Sequence, residues 1–410
     1  MSSKGKSSAV AGSGAALVPK QRFPEFRDAP AWEPVSLRKA SVPVDERVGE
    51  RKLTPVSISA GIGFVPQAEK FGRDISGSQY QRYTLVRDGD FVFNKGNSLK
   101  FPQGCIYLLQ GWGQVAAPNV FIAFRLKNGY SNGFFQNCFE QNQHGQQLKR
   151  HITSGARSNG LLNISKETFF NVEIPTPSLS EQQKIADCLA SADALIAAQR
   201  RKVEALRAHK KGLMQQLFPQ EGETQPRLRF PEFEGAGAWE EHKLGDVCEL
   251  YQPVTLSSSE QTMTGEHLVY GANGVIGTHN EYNHADSEVA VTCRGATCGE
   301  VTRTQPMSWI TGNAMVVRPR SARLEKDFLF QYFKNHGLKS IISGSAQPQI
   351  TRAGFSPLPV SFPAPAEQQR IADCLTSLDD LIAAETQKLD TLKTHKKGLM
   401  QQLFPSTGEV

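Results

Sequence analysis

Apolar or small residues along 181–219 fall at Ile185, Leu189, Ala192, Ile196, Val203, Leu206, Leu213 and Leu217. Residues 367–405 repeat the pattern at Ile371, Leu375, Leu378, Ile382, Leu389, Leu392, Leu399 and Leu403. Gln199 and Lys210 in the first segment, and Glu385 and Lys396 in the second, occupy the remaining slots of the same three-four alternation. This spacing predicts a coiled-coil seam sustained over about four heptads. Ser178 with Glu181 has the form of a capping box, and Pro365 suits a first helical turn. Pro219 and Pro405 end the two helices. At 1.5 Å per residue, 39 residues make a rod of roughly 58 Å. Gly212 and Gly398 inside the helices each cost about 1 kcal/mol relative to Ala. Their presence in both segments predicts close approach of another backbone, or a bend.

The two helical segments are copies. Of the 39 positions in 181–219, 27 are identical 186 residues later. Glu181-Gln-Gln-Lys-Ile-Ala-Asp-Cys-Leu189 returns as Glu367-Gln-Gln-Arg-Ile-Ala-Asp-Cys-Leu375, and His209 to Pro219 returns unchanged as His395 to Pro405. A second repeat precedes each unit: Arg22-Phe-Pro-Glu-Phe26 with Trp32-Glu33 matches Arg229-Phe-Pro-Glu-Phe233 with Trp239-Glu240, at an offset of 207. The segments between, roughly 36–175 and 243–361, show little resemblance to each other. A fixed scaffold thus carries two regions that have been free to vary. The connectivity favours antiparallel pairing of the two helices, with each helix packing only on its own domain as the alternative.

The variable regions contain short apolar or alternating runs broken by Gly, Asn and Pro: Thr84-Leu-Val86, Asp90-Phe-Val-Phe93, Gly104-Cys-Ile-Tyr-Leu-Leu109 and Val120-Phe-Ile-Ala-Phe124 in the first. The second has Leu268-Val-Tyr270, Val289-Ala-Val-Thr292 and Asn313-Ala-Met-Val-Val-Arg318, with a helix expected over 325–333. Both read as β-rich with few helices. The fold class expected is α+β: two β-rich domains joined by two long helices pairing as an antiparallel coiled coil, with pseudo-two-fold symmetry.

Charge separates the halves. The chain of 410 residues carries +6 overall, but residues 1–180 hold 22 basic and 13 acidic residues. Residues 221–293 hold 3 basic and 13 acidic, whereas 294–352 hold 9 basic and 3 acidic. A basic face on each variable region would attract a polyanion. No apolar run approaches the roughly 18 residues of a membrane span. The first 20 residues lack a signal-peptide core, and seven scattered Cys suit a reduced, cytoplasmic protein.

Catalytic patterns are missing. No Gly-x4-Gly-Lys-Ser/Thr phosphate loop occurs, and no Asn/Asp-Pro-Pro-aromatic segment. Glu50-x-Lys52 has no partner acid, and Cys293 with Cys298 lacks two further zinc ligands. No catalytic residue and no metal ligand is nominated. Base-reading chemistry is better represented, because Arg, Lys, Asn and Gln make bidentate bonds to base edges. Residues 141–151 (Gln-Asn-Gln-His-Gly-Gln-Gln-Leu-Lys-Arg-His) are dense in such groups and contain no acid. The candidates in the first variable region are Lys95, Gln143, His144, Gln146, Lys149, Arg150, Arg157 and Asn159. In the second they are Tyr270, Asn273, Arg294, Gln347, Gln349 and Arg352. Ordinary polar loops are the competing reading for any one of them.

The Glu-Gln-Gln-Lys/Arg-Ile-Ala start, the Lys-Lys-Gly-Leu-Met-Gln-Gln-Leu-Phe-Pro end and their duplication resemble the specificity (S) subunit of Type I restriction–modification enzymes. Tyr270-Gly-Ala-Asn-Gly-Val-Ile-Gly277, Arg294-Gly-Ala-Thr-Cys-Gly-Glu-Val301 and Gln347-Pro-Gln-Ile350 look like pieces of that family's target-recognition domains. Asp88-Gly-Asp-Phe-Val-Phe-Asn-Lys95 and Asn163-Ile-Ser carry a weaker match in the first region. The likeness covers nearly the whole chain after residue 20. It implies two target-recognition domains, at 21–177 and 243–363, each reading half of a bipartite double-stranded DNA site. It implies spacer helices at 178–219 and 364–405, an entry repeat within 220–242, and tails at 1–20 and 406–410. The helices would dock two methyltransferase subunits through Ile185, Leu189, Ile196, Leu206, Lys210 and Lys211, and through Ile371, Leu375, Ile382, Leu392, Lys396 and Lys397. S-adenosylmethionine, ATP and Mg are expected on partner methyltransferase and restriction subunits, with no cofactor on this chain. The alternative is a non-catalytic assembly scaffold whose two heads bind proteins or glycans.

Overall fold

The structure, a computed structural model, describes residues 17–96, 101–152, 162–220, 222–257, 262, 264–272, 274–344 and 347–405. Residues 1–16 of the tail expected at 1–20 and the whole tail expected at 406–410 lie outside the described residues, as do Arg157, Asn159 and Asn273. Two helices of 39 residues, Leu179–Leu217 and Pro365–Leu403, occupy the positions that the periodicity predicts. The chain forms two compact units, Met1–Ala198 with Asp390–Val410, and Gln199–Leu389. The division passes through both long helices, so each unit contains one β-rich head and part of each helix.

In the first unit, the start of the first long helix packs against the end of the second. Lys396 Nζ lies 2.7 Å from both carboxylate oxygens of Asp193. In the second unit the roles reverse: Lys210 Nζ, late in the first helix, lies 2.6 Å from both oxygens of Asp379, early in the second. Within each unit the helices are therefore antiparallel. The polar seam positions are used as cross-helix ties. Gln199 Nε2 donates to the Glu385 carbonyl at 2.9 Å and also bonds its carboxylate, which in turn pairs with Lys202. A polar layer of this kind fixes register in a seam that apolar contacts alone leave free to slide.

The helix starts are capped only in part as expected. Ser178 Oγ accepts from the Glu181 N–H at 3.4 Å, but the Glu181 carboxylate turns away to Arg22 and Trp32 instead of closing the box. Gly212 and Gly398 do not mark a close approach within the chain: a Cβ at either would meet nothing within 4 Å.

The heads share a topology that their sequences conceal. In the first, a four-stranded antiparallel sheet runs in the order Ser41–Pro43, Ile122–Leu126, Asp90–Asn94, Cys105–Leu108. In the second, the order is Cys248–Tyr251, Ala314–Pro319, Val289–Thr292, Val301–Arg303. A second sheet in each head pairs a hairpin with one parallel strand, and in the first head Thr84–Arg87 adds a fourth strand beyond Gln114–Ala117. Thr54–Ser59 joins Gly63–Pro66 and runs parallel to Gln114–Ala117; His267–Gly271 joins Gly274–His279 and runs parallel to Trp309–Ile310.

Alternation along the central strands explains the layering. Phe91 and Phe93 face a core shared with Trp32, Phe134 and Leu189, while Val92 faces Val56, Ile58 and Val115. In the second head Val289 and Val291 face Phe328, Leu217 and Leu375, while Ala290 faces Tyr270 and Ile310. A buried carboxylate stands at the start of each central strand, Asp90 as its first residue and Glu288 immediately before it. Asp90 pairs with Arg125 at 2.6 Å and Glu288 with Arg318 at 2.8 Å, in both cases an arginine on the neighbouring strand.

Candidate functional site

The identical parts of the repeat build the joint between each head and its helices. Arg22 of the entry motif donates from Nε and Nη2 to the two oxygens of Glu181, at 2.8 and 2.6 Å. Arg229 does the same to Glu367, at 2.8 and 2.7 Å. The next residue anchors the head itself. Gln182 accepts from the Ser131 N–H at 2.9 Å and donates to the Pro177 carbonyl. Gln368 accepts from the Glu325 N–H at 2.8 Å and donates to the Pro363 carbonyl. Each glutamine thus takes up an orphan amide at the start of a head helix, Asn132–Glu140 or Lys326–His336. The ends of the long helices close the joint. Phe404 packs on Trp32 and Phe134, and Phe218 packs on Trp239 and Phe328. The Gln21 N–H donates to the Gln402 carbonyl at 3.0 Å, and the Leu228 N–H to the Gln216 carbonyl at 2.9 Å. The same hydrogen bond thus joins the entry segment to the end of the second long helix in one unit, and follows the first long helix in the other.

In the second head, two nominated residues, Arg294 and Gln349, come together. Arg294 and Gln349 form a β-bridge, Gly295 N–H donates to the Pro348 carbonyl, and Gln349 bridges Ser343. Arg294, Gln347, Gln349 and Arg352 are all exposed. The neighbouring hairpin is tied to the same place. Thr292 and Thr297 both donate their hydroxyls to the Ala272 carbonyl, at 2.8 and 2.7 Å. The result is an acid-poor surface of bidentate donors and acceptors on a rigid frame.

Tyr270 does not belong to that surface. It is 5% exposed, packs with Ile310 and Val316, and its hydroxyl accepts from the Gln305 N–H at 3.1 Å. The end of its strand is buried on both faces, Val269, Tyr270 and Gly271 in succession, and a bulge between Val269 and Tyr270 breaks the alternation.

In the first head, Gln146, Lys149 and Arg150 are exposed on the short helix Gln143–Leu148 and the turn after it. Lys95 is half-buried, and its carbonyl accepts from the Leu162 N–H at 2.8 Å. Gln143 and His144 correct the expectation. They are 4% and 1% exposed, and the His144 ring makes edge contacts with both Phe93 and Phe139. Burial pushes the His144 imidazole down to about 4, which keeps it neutral. Composition of the 141–151 segment hid this, because a short helix alternates inward and outward faces.

The helix nominations divide likewise. Ile185, Leu189, Ile196, Ile371 and Leu375 are buried, while Leu206, Ile382 and Leu392 are half-buried. Lys211 and Lys397 are exposed, and Lys210 and Lys396 are taken up by Asp379 and Asp193. Sequence reasoning passed over Leu195 and Leu381. They occupy the same slot in the two copies and are 59% and 41% exposed. A leucine held outside the seam at both positions was the available signal. Among the described residues, no group of three or more His, Cys, Asp or Glu is arranged to hold a metal. No helix among them is long and apolar enough to cross a membrane.

Two like-folded heads on duplicated antiparallel helices define a protein class, and residues 77–208 and 237–394 match its sequence pattern: this chain belongs to the Type I restriction modification DNA specificity domain family. It is 23% identical over 287 residues to the Type I restriction enzyme MjaVIII specificity subunit of Methanocaldococcus jannaschii, an alignment covering 63% of this chain and 67% of that one. It is 24% identical over 266 residues to the putative type I restriction enzyme MjaX specificity subunit of the same organism, covering 60% of this chain and 61% of that one. The chain therefore spans between three fifths and about two thirds of the length of these curated relatives. The crystal structure of the Type I restriction–modification S subunit from M. genitalium superposes with a TM-score of 0.66 at 15% identity, covering 95% of this chain and 100% of that one. At that identity the likeness shows the fold alone.

Proposed function

We propose that this chain is the DNA-reading specificity subunit of a Type I restriction–modification complex, each head reading one half of a bipartite double-stranded target. The observation that carries this reading is the contrast between joint and surface. The side chains that tie each joint are identical in both units, whereas the exposed polar sets of the two heads differ. A scaffold of this kind presents two unlike readers on one frame. In the second head the reading groups are Arg294, Gln347, Gln349 and Arg352. In the first they are Lys95, Gln146, Lys149 and Arg150, joined by Arg157 and Asn159. Asn273 belongs with the second set. Arg and Gln side chains supply the bidentate bonds that distinguish base pairs in the major groove.

The long helices dock two methyltransferase subunits, one on each copy, through residues that are identical and exposed in both: Leu195 and Leu381, His209 and His395, Lys211 and Lys397. This chain carries no reaction of its own. Partner methyltransferase subunits bring S-adenosylmethionine, and restriction subunits bring ATP and Mg. Methylome sequencing of cells with and without this chain tests the reading. A two-part methylated motif with an indifferent gap, lost on deletion, is the expected result. An unchanged methylome in a strain whose methyltransferase is expressed refutes it.

A further inference from the structure

The second unit contains a cavity of about 660 Å³ between the C-terminal half of the first long helix and the end of the head helix Lys326–His336. Its volume lies in the range of small-molecule sites. Arg207, Lys210, Lys211 and Lys334 line it, with His336 at its edge; the lining carboxylate among the described residues is Asp379. Asp379 is consumed by Lys210, at 2.6 Å. Among the described residues no carboxylate pairs with Arg207 or Lys211, and Lys334 reaches Glu300 only at 3.8 Å. The His336 ring stacks on Tyr332 at 4.1 Å, and its Nε2 lies 3.2 Å from the Pro219 carbonyl oxygen, which fixes that edge.

Cations in the last turn of a helix complement its dipole, and Lys334 and His336 fit that ordinary role. Arg207 and Lys211 do not. They stand ten and six residues before the helix end at Leu217, beyond the one turn over which the dipole acts.

The first unit supplies an internal comparison. The Ser131 amide bonds Gln182 as the Glu325 amide bonds Gln368, so the head helices correspond at an offset of 194. Glu140 then stands where Lys334 stands. Its carboxylate lies 3.6 Å from Lys396, Asp193 lies 2.7 Å from the same lysine, and Lys393 pairs with Asp390 at 2.8 Å. Lys397, the counterpart of Lys211, is exposed in the first unit too, but with an acid in place of Lys334 and Lys393 paired, that frame carries fewer uncompensated cations than the second. Charges of one sign in a concave wall focus their field on an anion.

We propose that this cavity of the second unit binds closely spaced phosphate groups, supplied either by a free polyphosphate-bearing molecule or by a nucleic-acid backbone. Lys334, Arg207 and Lys211 provide the charge, while Lys210 stays committed to Asp379. The inference does not depend on base reading by the heads.

Isothermal titration of the full chain at low salt tests it, with sodium tripolyphosphate in one arm and a random-sequence duplex in the other. Saturable binding of tripolyphosphate, weakened about tenfold or more by Lys334→Glu and by Arg207→Ala with Lys211→Ala, is the expected result. Lys393→Ala in the first unit serves as the matched control and leaves the affinity unchanged. Sensitivity of the duplex alone to the same variants would support the site and assign the phosphate to nucleic acid. Neither probe saturating, or both binding equally well to variants that circular dichroism shows to be folded, overturns the proposal.

Discussion

Arg22 lies against Glu181 with both partners almost wholly buried, 6% and 2% exposed, and Arg229 repeats the arrangement on Glu367 at 7% and 2%. Hydrogen bonding to Glu367 raises the Arg229 guanidinium further above its ordinary range, as Glu181 does for Arg22. The pair explains why an Arg-Phe-Pro-Glu-Phe motif precedes each head and a Glu-Gln-Gln motif begins each long helix. Removing one partner strands a buried charge, which costs roughly 3–5 kcal/mol. Glu367→Ala is expected to lower the denaturant midpoint of the second unit by a corresponding amount, followed by Trp239 fluorescence. A change within error would show that the clamp is not a structural tie.

His144 gives stability a pH dependence of definite sign. Its folded value near 4 lies below the ordinary imidazole value near 6.5, because burial against Phe93 and Phe139 disfavours the charged form more than the Gly104 backbone favours it. The unfolded chain binds the proton first, so its stabilising contribution is whole above about pH 6.5 and is lost as pH falls toward 4. Between pH 7 and pH 5 the first head should lose about 2 kcal/mol from this group alone. His144→Leu is expected to flatten that part of the profile in urea titrations at the two pH values. An equally steep profile in the variant would assign the slope to other groups.

The parts that sequence made legible are those where one period dominates. The three-four spacing of Ile185 to Leu217 located a helix to within a few residues, and the runs at Asp90 and Val289 located the central strands. Exact repetition also made the joint visible, though not its chemistry: Glu181 looked like half of a capping box and proved to be an arginine clamp. The kinship of the heads was hidden. Phe91 and Val289 do the same work in the same strand position, but a core accepts either at that site provided its neighbours repack. Surface candidates were the least legible. Gln143 and Gln146 belong to one short helix and one composition, yet one is buried and the other exposed. Only the helix phase, set by Leu148 entering the core, separates them.

Leu195 and Leu381 test the docking role of the helices apart from the heads. Each is exposed on its long helix and makes no contribution to the buried seam, so a charged replacement leaves the fold intact. If the methyltransferase docks on the long helices as proposed, Leu381→Glu would place a charge in an apolar contact with it, where hot-spot truncations cost roughly 2 kcal/mol or more. Co-purification with that partner should fall, and the double variant with Leu195→Glu should abolish it, at unchanged thermal midpoint. Full recovery of the complex from the double variant would move the docking surface elsewhere.

Arg294 and Gln349 are joined by a β-bridge and present their side chains from one rigid edge of the second head, so they are predicted to act on the same half of the target. A bidentate contact discriminates against the wrong base by about 1–3 kcal/mol. Arg294→Ala and Gln349→Ala should each weaken recognition by that order while leaving the other half-site unaffected. Methylation of a target library by the assembled complex reads both effects at once: degeneracy appears at positions of one half only. Arg352→Ala is expected to act differently if it holds a phosphate, lowering affinity evenly across sequences and reducing the salt slope by about one unit. Degeneracy spread over both halves in the Arg294 variant would show that the heads do not read independently. Unchanged methylation in the Arg294 and Gln349 variants would remove this edge from the recognition surface.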